Sequence, residues 1–195
     1  MPVKIESPDL FTDKLSEHDN EVLEFIVAEE LSGFTFDGIR RRLQIHPETL
    51  SRILSRFEEV EIIKRVEVGY QVTLKAQELA VIPLSENSSK IQILQTYLPM
   101  SSSIEDLLTE MTGKWFNSLR WLGYSKNGEK ITLKWVTSDS RAQIDAVFWD
   151  NSLNIEATIL EDGDLDSTLT SSYHLLGYIT KTIKNMKHID VESFI

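Results

Sequence analysis

The sequence predicts an α+β protein in two parts, residues 1–82 and residues 91–195. Three observations carry that expectation. Between Thr35 and Thr73 the apolar residues recur twice at helical spacing and then switch to the alternation of a short hairpin. From Lys130 to Leu160, three runs alternate apolar and polar residues, as antiparallel strands buried on one side do. Between these regions lies PLSENSSK, Pro83–Lys90, which has proline, serines and an asparagine but no apolar pattern, and reads as the boundary.

In chain order, Met1–Leu15 has mixed polarity with Pro2 and Pro8 and reads as an arm. Ser16 with Asp19 three residues on forms a capping box. The helix that follows runs from Glu17 to about Leu31, with Val22, Leu23, Phe25, Ile26 and Val27 inward. Its outer face is acidic: Glu17, Glu21, Glu24, Glu29 and Glu30. Ser32–Gly33 is expected to end it. Thr35 caps a short helix whose apolar positions are Phe36, Ile39 and Leu43. After Gln44, Ile45 and His46, Pro47 stands at a first helical position, where its missing amide hydrogen costs nothing. The helix it opens, Pro47–Val60, buries Leu50, Ile53, Leu54 and Phe57. Its opposite face carries Glu48, Arg52 and Ser55, flanked by Thr49, Ser51 and Arg56. Ile62–Val66 and Tyr70–Leu74 then pair across a turn at Glu67–Gly69, and Lys75–Val81 forms a helical exit.

The stretch IRRRLQIHPETLSRILSRFEEVEIIKRV followed by GYQVT resembles the winged helix-turn-helix of MarR- and ArsR-type transcription regulators. With the preceding helix, the resemblance covers roughly residues 16–80. It implies a DNA-binding transcription regulator that places the Pro47–Val60 helix in the major groove and works as a homodimer on double-stranded DNA. On that reading Arg52 and Arg56 contact bases or phosphates, and Thr49, Ser51 and Ser55 support them. Arg41, Arg42, Lys64 and Arg65 contact the DNA backbone. Two features depart from the family pattern: no glycine stands near Gln44 in the turn, and the hairpin tip carries Glu67 where a basic residue would be expected.

The second part reads β-α-β-β-β-α. Ile91–Leu98 is a strand ended by Pro99. Ser102 with Glu105 caps a helix from Ser103 to Leu122, closed by Gly123. Asn127–Gly128 marks a turn into strands Lys130–Val136, Gln143–Trp149 and Leu153–Leu160. Ile131, Leu133 and Trp135 point inward, Ile144, Ala146 and Phe148 share one face, as do Leu153, Ile155, Ala157 and Ile159, and Asp150–Ser152 turns the last two strands into a hairpin. A final helix runs from about Ser167 to Lys187 with a core stripe of Leu169, Tyr173, Leu176, Thr180 and Ile183, capped by Asp166 or Ser167. The expected role of this part is dimerisation or the sensing of a small-molecule effector. All four tryptophans lie in it. Trp121 and Trp149, off the main apolar stripes, are candidates for a pocket or an interface.

Charge and composition exclude several classes. The chain carries 31 acidic and 20 basic residues, net −11, which argues against indiscriminate nucleic-acid affinity. Basic residues nevertheless crowd into Arg40–Arg65. No cysteine is present, so disulfides and thiol catalysis are excluded, which suits a cytoplasmic protein. No apolar run approaches the ~18 residues of a membrane helix. His18, His46, His174 and His188 lack metal-ligand spacing, and the acidic loop Glu161–Asp166 lacks the glycine and glutamate of a calcium loop. No cofactor and no enzymatic activity are expected, since no phosphate loop or nucleophile motif occurs. The acidic total charge, Glu67 at the hairpin tip and Glu48 on the exposed helix face also fit a winged helix that docks onto protein.

Overall fold

The computed structural model describes residues 15–78, 90–98, 103–160 and 162–192. Among them, six helices and one eight-stranded antiparallel sheet make a mixed α+β structure. The elements are α1 (Glu17–Ala28), β1 (Gly33–Phe34), α2 (Phe36–Leu43), α3 (Pro47–Glu59), β2 (Ile63–Val66), β3 (Gly69–Val72) and α4 (Leu74–Glu78). They continue with β4 (Ile91–Tyr97), α5 (Ile104–Met111), β5 (Leu119–Asn127), β6 (Lys130–Thr137), β7 (Ala142–Trp149), β8 (Ser152–Ile159) and α6 (Leu165–Glu192). The arm before Leu15, most of the expected boundary, Pro99 and the expected Ser102 cap lie outside the described residues.

Local chemistry accounts for the first part. Ser16 and Asp19 close the capping box on α1. Thr35 caps α2, its hydroxyl accepting from the Gly38 amide at 3.2 Å. Gln44 takes the left-handed conformation itself, at φ 55°, so the tight turn into α3 is made without glycine. Pro47 opens α3, which buries Leu50, Ile53, Leu54 and Phe57. The helix of Glu17 stops at Ala28, short of the expected Leu31, because Gly33 is needed elsewhere: with Phe34 it forms a strand.

That two-residue strand joins the two parts into one sheet, ordered β2-β3-β1-β5-β6-β7-β8-β4. Phe34 stands opposite Tyr70 on β3 and opposite Gly123 on β5. A Cβ at Gly123 would lie 2.2 Å from the Gly33 carbonyl oxygen, so only glycine lets the strands approach this closely. The expected helix through Leu122 is therefore corrected. It ends at Met111, Gly113 turns the chain at φ 73°, and Leu119 onward is strand. The part after residue 90 has five strands, not four.

Each face of the sheet carries a core. Ile131, Leu133, Trp135, Ile144, Ala146, Phe148, Leu153, Ile155 and Ala157 pack with α5 and α6. On the other face Leu122 and Val136 join the core of α1, α2 and α3. The α6 stripe differs from expectation: Thr168, Ser172, Leu175, Ile179 and Ile183 are buried, whereas Tyr173 is 58% exposed. Asp164 supplies the N-terminal cap, accepting from the Ser167 amide at 2.8 Å. Among the described residues, no helix is long and apolar enough to cross a membrane.

Candidate nucleic-acid interface

The exposed face of α3 is the candidate surface. Its apolar stripe fixes the helix against α1 and α2, which leaves Glu48, Ser51, Arg52, Ser55 and Arg56 exposed and Thr49 half-buried. Beside it runs a shallow cleft of about 390 Å³ between α3 and the start of α1, lined by Ser16, Asp19, Thr49, Arg52, Ile53 and Arg56. Among the described residues Arg52 makes no ion pair, so its guanidinium is available to a ligand. Arg56 is ion-paired with Asp19. Burial alone would raise the Asp19 carboxyl, but bonds from Ser16 and Arg56 hold it below its ordinary value.

The other candidate cations are distributed differently from expectation. Arg65 packs its guanidinium 5.4 Å from the Tyr70 ring centroid, donates to the Tyr70 hydroxyl at 3.1 Å and reaches Glu58 at 3.4 Å. Lys64 is exposed, on the rim of an open cleft that also holds Glu58, Glu61 and Lys75. Arg41 and Arg42, expected at phosphates, point to the sheet. Arg41 donates to the Ser138 carbonyl at 3.2 Å in the β6–β7 turn. Arg42 donates to Gln143 Oε1 at 2.7 Å and lies 5.0 Å over the Phe25 ring. The hairpin tip leans on the loop after α5, where Val68 Cγ1 lies 3.0 Å from the place a Gly113 Cβ would take.

Arg42 borders a buried charge cluster absent from the sequence reading. Lys134 of β6, 2% exposed, donates to Glu29 at 2.7 Å and to Asp145 at 3.2 Å. Lys90 reaches Asp145 at 2.9 Å and Glu29 at 3.5 Å. Gln143 Nε2 bonds to both carboxylates, at 3.1 and 3.0 Å. Glu29, expected on the outer face of α1, is thus inside. Burial alone would raise its carboxyl, but Lys134 and Lys90 hold it at about 2. Burial lowers the Arg42 guanidinium from its ordinary value, opposed by Glu29 and Asp145. The signal for this cluster was present in two otherwise apolar strands, where Lys134 and Asp145 are the interior charges. Alternation alone made them look solvated.

Trp121 is corrected from pocket or interface to core. It is 2% exposed and meets Trp135 edge-on with centroids 5.1 Å apart. Trp149 is 59% exposed at the end of β7. Compared with protein-family models, with curated proteins and with solved structures, the chain matches none.

Proposed function

We propose that residues 16–73 act as a winged helix-turn-helix and that the protein is a DNA-binding transcription regulator, with α3 entering the major groove. The observation that carries this reading is the outward polar face of α3, with Arg52, which makes no ion pair among the described residues, at its centre and Thr49, Ser51 and Ser55 around it. The order helix, short strand, helix, helix, hairpin supports it. Arg52 reads base edges, and Arg56, released from Asp19, and Lys64 contact phosphates. Arg41 and Arg42 are left out of the contact set because the sheet holds them.

The test is binding to fragmented genomic DNA at near-physiological salt, followed by sequencing and titration of the enriched site. Arg52→Ala should cost about 1–3 kcal/mol, roughly 5- to 150-fold in Kd. With two phosphate-facing cations per protomer, the slope of log K against log salt should be shallow, about −2 per protomer bound. An unchanged Kd for Arg52→Ala rejects this placement of α3.

A second reading has the same face docking onto protein in a transcription-related assembly. It is favoured by the engagement of Arg56 and Arg65 with Asp19 and Glu58, and by exposed Glu48 beside Arg52. It predicts no enriched DNA site at any salt concentration, and capture of a protein partner that Arg52→Ala abolishes.

A further inference from the structure

We propose that the outer face of α6 is a dimerisation surface and that its occupant is the same helix of a second copy, running antiparallel. The helix turns Thr168, Ser172, Leu175 and Ile179 to the sheet. The opposite side presents Asp166, Thr170, Tyr173, Gly177, Thr180 and Lys184. Spaced alternately four and three residues apart, they share one face of the helix. Thr180 is half-buried at the seam's edge and the other five are exposed.

The seam is complementary to itself. A two-fold axis at the level of Leu175 sets Asp166 against Lys184 of the partner subunit and Thr170 against the partner's Thr180. It also sets Tyr173 against Gly177 of the partner subunit. Each contact occurs twice, as an isologous interface requires. Charge complementarity selects the antiparallel arrangement: the acidic start of α6 meets its basic end, whereas a parallel pair would set Asp166 against Asp166 and Lys184 against Lys184.

Gly177 is an independent pointer to this occupant. Glycine weakens the middle of a helix, and an internal one calls for a packing reason. Among the described residues there is none, since nothing outside its own helical backbone lies within 4 Å of where its Cβ would be. Tyr173, 58% exposed one turn away, is the side chain that a second copy would lay into that recess. Asp166 to Lys184 spans about 27 Å of helix, a small contact of the size of weak, transient interfaces.

This surface supplies the homodimer that an operator-binding regulator calls for, but it rests on α6 alone and is tested without DNA. The experiment is sedimentation velocity of the full chain over a concentration series, for the natural sequence, Asp166→Lys, Lys184→Asp and an equimolar mixture of the two variants. The natural chain should self-associate. Each variant alone faces like charges twice and should associate at least about tenfold more weakly. The mixture pairs opposite charges at both positions and should recover association, which two misfolded chains would not do. Gly177→Leu fills the recess and should abolish the dimer while leaving the circular-dichroism spectrum helical. A monomer at every concentration, single variants that associate like the natural chain, or a mixture that fails to recover would each overturn the proposal. None of these results bears on whether Arg52 reads DNA.

Discussion

Lys134 is buried between Glu29 and Asp145, and the cluster holds together only as a set. Removing the lysine alone, as in Lys134→Met, leaves two carboxylates inside and should destabilise the fold by about 3–5 kcal/mol in urea denaturation. The cluster also sets an acid limit. The Glu29 carboxyl is held at about 2 against an ordinary 4.5, so its contribution is complete above about 4.5. That contribution is lost progressively as pH falls from 4.5 towards 2. Stability measured over this window should fall on acidification, and Glu29→Gln should make the fall shallower. At the same scale, Gly123→Ala drives a Cβ to 2.2 Å from a backbone oxygen that cannot swing aside. It should cost about 1–3 kcal/mol, read as a lower thermal midpoint. Local alternation reveals neither role. Lys134 and Asp145 occupy the positions of solvent-facing strand residues, and Gly123 follows a run that looks like a helix approaching its stop.

Among the elements, those governed by local chemistry were legible. The Ser16–Asp19 box, the Thr35 cap, Pro47 at the start of α3 and the aliphatic alternation of β6, β7 and β8 each depend on residues a few positions apart. Elements governed by distant neighbours were not. β1 is a strand only because β3 and β5 flank it. Trp115, Leu119 and Leu122 happen to keep helical spacing, which hid the start of β5. On α6 the buried stripe includes Thr168, Ser171 and Ser172, small polar side chains against the sheet, so the more apolar neighbouring stripe was taken for the core. The same distinction divides the candidate site. The outward side of α3 follows from its own inward stripe, whereas the inward turn of Arg41 and Arg42 follows from a sheet whose pairing no local pattern announces.

For the whole molecule, the continuous sheet ties the surface of α3 to that of α6. The tie is narrow. Besides the β1 register, it comprises the Ser32 amide to Tyr124 and the Thr35 amide to Leu122, both 2.9 Å, with the Val72 amide to Ser32 at 3.0 Å on the other side. Across it, Leu122 of β5 and Val136 of β6 pack into the core of α1, α2 and α3, while the second core lies on the other face. In hydrogen exchange, the amides of Ser32, Thr35 and Val72 should therefore exchange before those of β6 and β7.

A strand of two residues is a joint more than a wall. Parting it would nevertheless draw Leu122 and Val136 out of the first core and break the Glu29–Lys134 ion pair, which acts as its latch. The angle between the two working surfaces is accordingly set by packed side chains and buried charge as well as by backbone pairing.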